Sequence, residues 1–420
     1  MKLLGLHYFF PPVQVVASRR LWYLYRRWEA DFEEVDIITS QQAKERPTED
    51  RYTHQWPLHY VAGRGIRERV TSSSSTTIET SRKRHKLYQF SVGARHAYPF
   101  LYFTDEGGPT YRREAFKKAV GIIESKGVTH LLSSYRPWVD HLVAAKLKKK
   151  YPQLHWSADF RDLPIDPVRK DVWWPTWQNN WAKRIIRSAD EVLVVSQGQA
   201  AQMKALHTNV RVVYGGLEKL PVLTSPRTQQ FIINYTGSIY PNLQQLAPLG
   251  EALQKWLCTP MSTASPSAGC PEEASTRVNL ILTYAGKDGY HFEEWARRYG
   301  LLSHCIIDGV VSQKEAQQRQ LTASVNLLLS WSAPNYYGVL TAKLYDYLTA
   351  GRPILALVNG PVDPELSGII HTARAGLCTH QSARQAEDIL HFLQRLYAQW
   401  EEHHGQLAWE MEANTLRYLL

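Results

Sequence analysis

The residues best placed to do chemistry lie in GVLTAKLYDYLTAGRPILAL, residues 338–357. Lys343 and Asp346 are three apart, so they share one face at the start of a helix. A helix N-terminus exposes free backbone N–H groups and partial positive charge. A diphosphate can dock there, with Lys343 supplying a full charge. Asp346, one turn deeper, can accept two hydrogen bonds from vicinal ribose hydroxyls. A second charged group, Asp159, Arg161 and Asp162 in ADFRDLP, closes an apolar strand. The alternatives are an ordinary surface ion pair for the first set and an Asp–Arg pair pinning a loop for the second.

Metal chemistry has no matching pattern. The His, Cys and carboxylate spacings form no metal motif, and HFEEW lacks the zincin spacing. No Asp-x-Asp pair falls at a strand end, so catalysis is expected to proceed without an essential metal or a tightly bound cofactor. No GxGxxG follows the first strand, which argues against a dinucleotide dehydrogenase. The basic runs SRKRHK (81–86) and KLKKK (146–150) come without a zinc finger, RNP motif or KH signature, so nucleic acid is not expected as a partner.

These residues need a scaffold, and the hydrophobic pattern supplies one. KLLGLHYF reads as a strand, ASRRLWYLYRRWEA as a helix and EVDIITS as the next strand, a βαβ unit of a parallel sheet. The alternation resumes after residue 110 and runs to RVVYGG. Leu220–Gln229 reads as a linker, and a second alternation opens with FIINYTGS. The expected architecture is α/β: two tandem doubly wound Rossmann-like domains facing across a cleft, with ligands at the carboxyl ends of the strands. Domain one spans 1–222 and domain two 223–392. Helices over 393–420 are expected to pack back on the first domain. Residues 41–110 read as an elaboration, and Thr259–Ser275 as an exposed Pro/Ser/Gly-rich loop.

The 420 residues carry 49 Lys and Arg against 39 Asp and Glu, a formal net charge of +10. That excess fits an anionic partner such as a phosphorylated substrate or a membrane surface. Arg19, Arg20, Arg26 and Arg27, near Trp22 and Tyr23, join Ser81–Lys86 as the expected lipid-facing set. The four cysteines form no CxxC pair, and no apolar stretch reaches 18 residues. The expected location is cytoplasmic, peripheral on the inner face of the membrane.

The order of motifs resembles GT-B glycosyltransferases of the family 4 type. HYFFPPVQVVASRR, ADFRDLP, ADEVLVVS, NYTGSIYPN, AKLYDYLTAGRPILAL and ARAGL carry the resemblance, over nearly the whole chain from Leu6 to Leu377. It implies a nucleotide-sugar donor on the second domain and a glycan or lipid-linked acceptor on the first. Asp346 falls where relatives place a ribose-binding glutamate, whereas Gly338 falls where they place a carboxylate for the donor sugar. The Gly237–Asn242 segment lacks the cations of many relatives, leaving Lys343 and backbone groups at Gly237 and Ser238 to cradle the phosphates. No histidine stands near Arg161, so Asp162 becomes the candidate acid/base, with Arg161 orienting it or neutralising phosphate. Pro12, Ser18 and Arg19 shape the acceptor-side turn, without the glycines common in relatives. A sugar-nucleotide 2-epimerase and a catalytically idle glycan-synthesis scaffold are the competing readings.

Overall fold

The computed structural model describes residues 1–13, 15–41, 54–63, 106–165, 173–217, 219–221, 223, 226–258 and 278–420. The basic run Ser81–Lys86 and the loop Thr259–Ser275 lie outside them. The chain divides into two compact units, Met1–Gly216 and Leu217–Leu420.

The first unit is built on seven parallel strands: β1 (Lys2–Leu6), β2 (Glu34–Ser40), β3 (Leu58–Val61), β4 (His130–Tyr135), β5 (His155–Phe160), β6 (Glu191–Val194) and β7 (Val210–Val212). They lie in the order β3-β2-β1-β4-β5-β6-β7. β1 therefore pairs with both β2 (Leu3 with Val35) and β4 (Leu3 with His130). The chain reverses its direction of travel between β1 and β4, the point where doubly wound sheets open a crevice at their carboxyl edge. The helices are α1 (Val16–Trp28), α2 (Gly108–Lys126), α3 (Trp138–Lys150), α4 (Pro175–Ile186) and α5 (Gln197–Met203). The apolar stripe of α1 reaches the core through Leu21 and Leu24, which join Leu3, Val35 and Ile37. Gly127 ends α2 in the left-handed conformation, at φ 66°.

The second unit repeats the plan with β8 (Phe231–Thr236), β9 (Leu280–Ala285), β10 (Cys305–Asp308), β11 (Val325–Trp331), β12 (Ile354–Asn359) and β13 (Gly376–His380). Their order is β10-β9-β8-β11-β12-β13, with the reversal between β8 and β11. A buried polar chain ties the strands there. Asn234 donates to Asn326 at 2.8 Å and accepts from Thr283 at 3.1 Å, while Gln320 donates to Thr236 at 2.8 Å. Such a network fixes register where an apolar run would slide. The helices are α6 (Ala247–Cys258), α7 (Gly289–Arg298), α8 (Gln313–Thr322), α9 (Ala342–Ala350), α10 (Pro364–Thr372) and α11 (Gln385–Glu402).

The terminal segment, expected to return to the first domain, falls within the second compact unit. α11 buries Leu393, Leu396, Tyr397 and Trp400 in the core that α6 and β8 share. Leu419 accepts a backbone hydrogen bond from Leu217, and Ala373 accepts one from Glu412. The strands β3, inside the stretch read as an elaboration, and β13, with the helices α5 and α10, are additions to the elements expected from the sequence. Each is short, and α5 and α10 lie in stretches whose polar, Gly- and Pro-containing composition reads as loop. Among the described residues, no helix is long and apolar enough to cross a membrane.

Candidate functional site

In the second unit, Lys343 opens α9 and reaches back to the end of β8. Its Nζ donates to the Tyr235 hydroxyl at 2.8 Å and to the Ser238 carbonyl at 3.3 Å, and lies 4.6 Å from the Tyr235 ring centre. Gly237 makes this approach possible. At φ 129° it adopts a conformation that favours glycine, and a Cβ there would sit 2.2 Å from Lys343 Cε. Burial pulls the Lys343 ammonium down from the ordinary 10.5 to about 8, with Asp288 and Asp346 opposing the fall.

The turn around this lysine is fixed by residues that the sequence reading passed over. Tyr235 donates to the Ser238 carbonyl at 2.6 Å, Tyr284 donates to the Gly237 carbonyl at 3.0 Å, and the Asp288 carboxylate accepts from the Ile239 amide at 3.0 Å. Only the aromatic tyrosines in NYTGS and LTYAG and the aspartate in GKDG signalled them. The expected phosphate cradle is corrected in one detail: the Gly237 amide is spent on the Ala285 carbonyl at 2.8 Å. Gly237 contributes room, whereas the Ser238 amide and hydroxyl make no hydrogen bond among the described residues. α9 has no side-chain cap at Thr341 and no acid in its first turn; the Leu344 amide donates to the Thr341 carbonyl at 3.0 Å, while the Ala342 and Lys343 amides make no hydrogen bond among the described residues. Asp346 is half-buried on the same helix.

Gly338 sits at φ 74°, and its amide donates to Asp363 at 2.8 Å. A larger residue would be strained there, which gives a local reason for glycine at this position. Asp363 itself is fully buried and also caps α10 through the Glu365 and Leu366 amides.

In the first unit, the three charges after β5 separate into different roles. Asp159 is buried and receives the Arg20 guanidinium, with Nη2 at 2.6 Å and Nε at 3.1 Å, and the Ser134 hydroxyl at 2.8 Å. Burial alone would raise this carboxyl; Arg20 overcomes it and holds the group below the usual carboxylate range. Arg20 also donates to the Val213 and Tyr214 carbonyls. It is therefore an internal tie between α1, β5 and the end of β7, not a lipid-facing cation, and Tyr23 is likewise buried. Of that expected basic set, Arg26 and Arg27 are exposed.

Asp162 is exposed and makes no hydrogen bond or ion pair among the described residues. Arg161 is half-buried against the end of β4, donating from Nε to the Tyr135 carbonyl at 3.2 Å. The expected Arg161–Asp162 orienting contact is thus not a hydrogen bond, although Asp162 contributes charge that favours the guanidinium. On the turn between β1 and α1, the expected acceptor-side residues Pro12 and Arg19 are half-buried and Ser18 is fully buried, its hydroxyl without a hydrogen-bond partner among the described residues. Its burial takes the Ser18 hydroxyl off the surface of the turn it was expected to shape.

His7 and His141 are interior groups. His7 Nε2 pairs with the Tyr25 hydroxyl at 2.7 Å, and His141 Nδ1 with the Ser133 hydroxyl at 2.7 Å. Burial pushes both imidazoles down to about 3, so they stay neutral near pH 7. Asp140, next to His141, accepts the Tyr8 amide at 2.8 Å and so holds the β1–α1 turn. Among the described residues, no group of three or more His, Cys, Asp or Glu side chains is arranged to hold a metal ion.

Solved structures share this architecture. The chain superimposes on a lipopolysaccharide outer core galactosyltransferase, WaaB, with a TM-score of 0.53 at 12% identity, covering 95% of this chain and 90% of that one. It also matches sucrose-phosphate synthase from Thermosynechococcus elongatus, with a TM-score of 0.55 at 13% identity over 96% and 92% of the two chains. No protein-family profile and no curated protein sequence matches the chain. At these identities the likeness defines the fold alone, and the fold is GT-B: two Rossmann-like domains in tandem.

Proposed function

We propose that the protein is a glycosyltransferase that moves a sugar from a nucleoside-diphosphate sugar to a hydroxyl of a glycan or lipid-linked acceptor. The observation that carries this reading is Lys343, a partly desolvated cation held against Gly237 and Ser238 beside the uncapped start of α9. A diphosphate would find there one full charge, the free Ser238 donors and the helix dipole. The same groups would stabilise the nucleoside diphosphate as it leaves, which is the main electrostatic demand of the reaction. Asp346 is the acceptor of ribose hydroxyl hydrogen bonds.

The first unit receives the acceptor. Asp162, exposed and free of internal bonds, is the carboxylate that takes the acceptor proton as the glycosidic bond forms. The Asp162→Asn protein should fold normally, bind the nucleoside diphosphate as before and lose most transfer. Purified protein would be screened against nucleotide sugars with extracted lipid-linked glycans, following both donor turnover and product. Transfer at the wild-type rate by Asp162→Asn would remove the catalytic assignment. Release of a free epimer would replace the reaction by an epimerisation, and donor binding without turnover would make the protein a scaffold.

A further inference from the structure

The first sheet carries an uneven charge on its two faces. β4, β5 and β6 follow one another in one direction across it, whereas β1 leads to β2 in the other. Right-handed crossovers therefore put α3 and α4 on one face and α1 on the opposite face. α2 packs beside α3, and α3 beside α4, so the three form one layer. Trp181 of α4 meets Trp138 of α3 edge-on, with ring centres 5.0 Å apart. On these helices Lys and Arg outnumber Asp and Glu eleven to three, in a chain whose net charge is +10. Of the acids, Asp140 is buried and Glu124 takes Lys150 at 3.1 Å, which leaves Glu114. Lys117 and Lys118 on α2, Lys149 on α3, and Lys183, Arg184 and Arg187 along α4 and its end are exposed. None of the six makes a side-chain hydrogen bond or ion pair among the described residues.

α4 adds a second, independent feature. It contains no acid, and its inner side is Gln178, Ala182, Ile185 and Ile186. Two indoles stand outward at its start, Trp174 at 57% exposure and Trp177 at 46%. Their ring centres are 6.1 Å apart at 81°. Trp174 holds φ 47°, a backbone angle unfavourable for a bulky side chain. Adjacent exposed indoles make an apolar patch of the kind that marks a contact surface. Trp177 and Arg184 are seven residues apart, two helical turns, so indole and cation share one stripe. At a lipid interface indoles sit at headgroup level while neighbouring cations meet the lipid phosphates. Single-stranded nucleic acid also uses cations and rings, but it needs rings set along a charged groove. Trp174 and Trp177 lie edge to face at one end of a helix instead. α1 offers less: Arg20 and Tyr23 are buried, and Arg26 pairs with Glu29 at 3.5 Å.

We propose that the outer face of α2, α3 and α4 docks on an anionic phospholipid bilayer, with Trp174 and Trp177 entering the headgroup layer and the lysines and arginines meeting lipid phosphates. This moves the lipid-facing surface from α1, where the sequence put it, to the opposite face of the first sheet. It does not depend on the reaction that the protein catalyses.

Sedimentation of the full chain with vesicles tests the surface, using phosphatidylcholine alone or mixed in equal parts with phosphatidylglycerol. The expected result is binding to the mixed vesicles that weakens as salt rises, and quenching of tryptophan fluorescence by brominated lipid. Replacing Lys183, Arg184 and Arg187 together by Gln should weaken partitioning on the order of 100-fold. Lys117→Gln with Lys118→Gln, on a different helix, should weaken it roughly tenfold or more. Trp174→Ala with Trp177→Ala should remove most of the quenching. Arg26→Gln with Arg27→Gln, on α1, should leave partitioning unchanged, and thermal melts establish that each variant folds. Wild-type partitioning by the α2 and α4 variants would overturn the proposal, as would a loss confined to the α1 variant. Failure of the wild-type protein to sediment with mixed vesicles at low salt would do the same. Binding to single-stranded DNA without quenching by brominated lipid would replace the bilayer by nucleic acid. None of these readouts uses a nucleotide sugar, so absence of glycosyl transfer would refute the proposed reaction and leave the docking surface standing.

Discussion

Replacing Lys343 by methionine should change stability and ligand binding in opposite directions. The ammonium falls from 10.5 to about 8 on folding, chiefly through burial. At roughly 1.4 kcal/mol per pH unit, keeping that charge in the unliganded fold costs about 3 kcal/mol at neutral pH. Methionine retains the length and the apolar stem without the charge. The Tyr235 hydroxyl keeps its bond to the Ser238 carbonyl, so no buried donor is orphaned. The unliganded variant should therefore be more stable by an amount approaching that figure, reduced by the two hydrogen bonds that Nζ makes. The pH dependence has a definite sign. The folded pKa lies below the unfolded one, so the unfolded chain binds more protons between about pH 8 and pH 10.5. Wild-type stability gains from this residue across that window, and the variant lacks the gain. Binding runs the other way. A charge-assisted contact to phosphate contributes about 1.5–3 kcal/mol, so nucleoside diphosphate affinity should fall roughly 10- to 150-fold. Affinity for the bare nucleoside should barely move, and wild-type diphosphate affinity should weaken as pH rises through about 8. Urea denaturation from pH 7 to pH 10, with calorimetry of UDP, GDP, ADP and dTDP beside their nucleosides, tests both halves. A destabilised variant that binds diphosphates like the wild type would refute the phosphate role and make Lys343 a structural brace.

Gly237→Ala should weaken the same diphosphates tenfold or more and cost about 1–3 kcal/mol of stability, because the new Cβ enters the space of Lys343 Cε at a backbone angle of φ 129°; unchanged calorimetric affinity would count against the close approach. Asp346→Asn should narrow the preference for a ribonucleotide over its 2′-deoxy counterpart, and a preserved preference in competition titrations would release Asp346 from the ribose. Arg20→Leu should lose about 3–5 kcal/mol in denaturant unfolding, since Asp159 is left buried and unpaired. Adding Asp159→Leu should recover part of that loss, and a single variant as stable as the wild type would show that the tie is dispensable.

The sequence made the repeating architecture legible because its signals are local. Apolar runs such as FIINYT and VNLLLSW are buried parallel strands, and glycines such as Gly351, at φ 64°, stop helices where the pattern stops. Lys343 was also legible, since its place at the start of a helix follows from the neighbouring residues alone. What decides its chemistry was not. Tyr284 and Asp288 lie 47 and 49 positions from the groups they bind in the Gly237 turn and meet it only when β8 and β9 pair, and Tyr235, beside the turn, reaches Lys343 across 108 positions. The same limit explains Arg20. In the sequence it stands among Arg19, Arg26 and Arg27 and reads as one more surface cation, while its partner lies 139 residues away.

The division of charge in ADFRDLP shows how folding converts a motif into distinct roles. Alternation along a strand sends successive side chains to opposite faces, and Asp159 lies within β5 where a face is closed. An acid in that position must be neutralised internally, and Arg20 does so. Arg161 and Asp162 come after the last strand residue, where the chain leaves the sheet and neither face is enforced. Arg161 turns back onto the carbonyl of the adjacent strand end, and Asp162 stays in water. Stability consumes the charge inside the strand, and the two charges beyond it are the ones the proposed reaction draws on. That partition makes the effects separable: loss of the Arg20–Asp159 pair should be read in unfolding, whereas loss of Asp162 should be read in turnover.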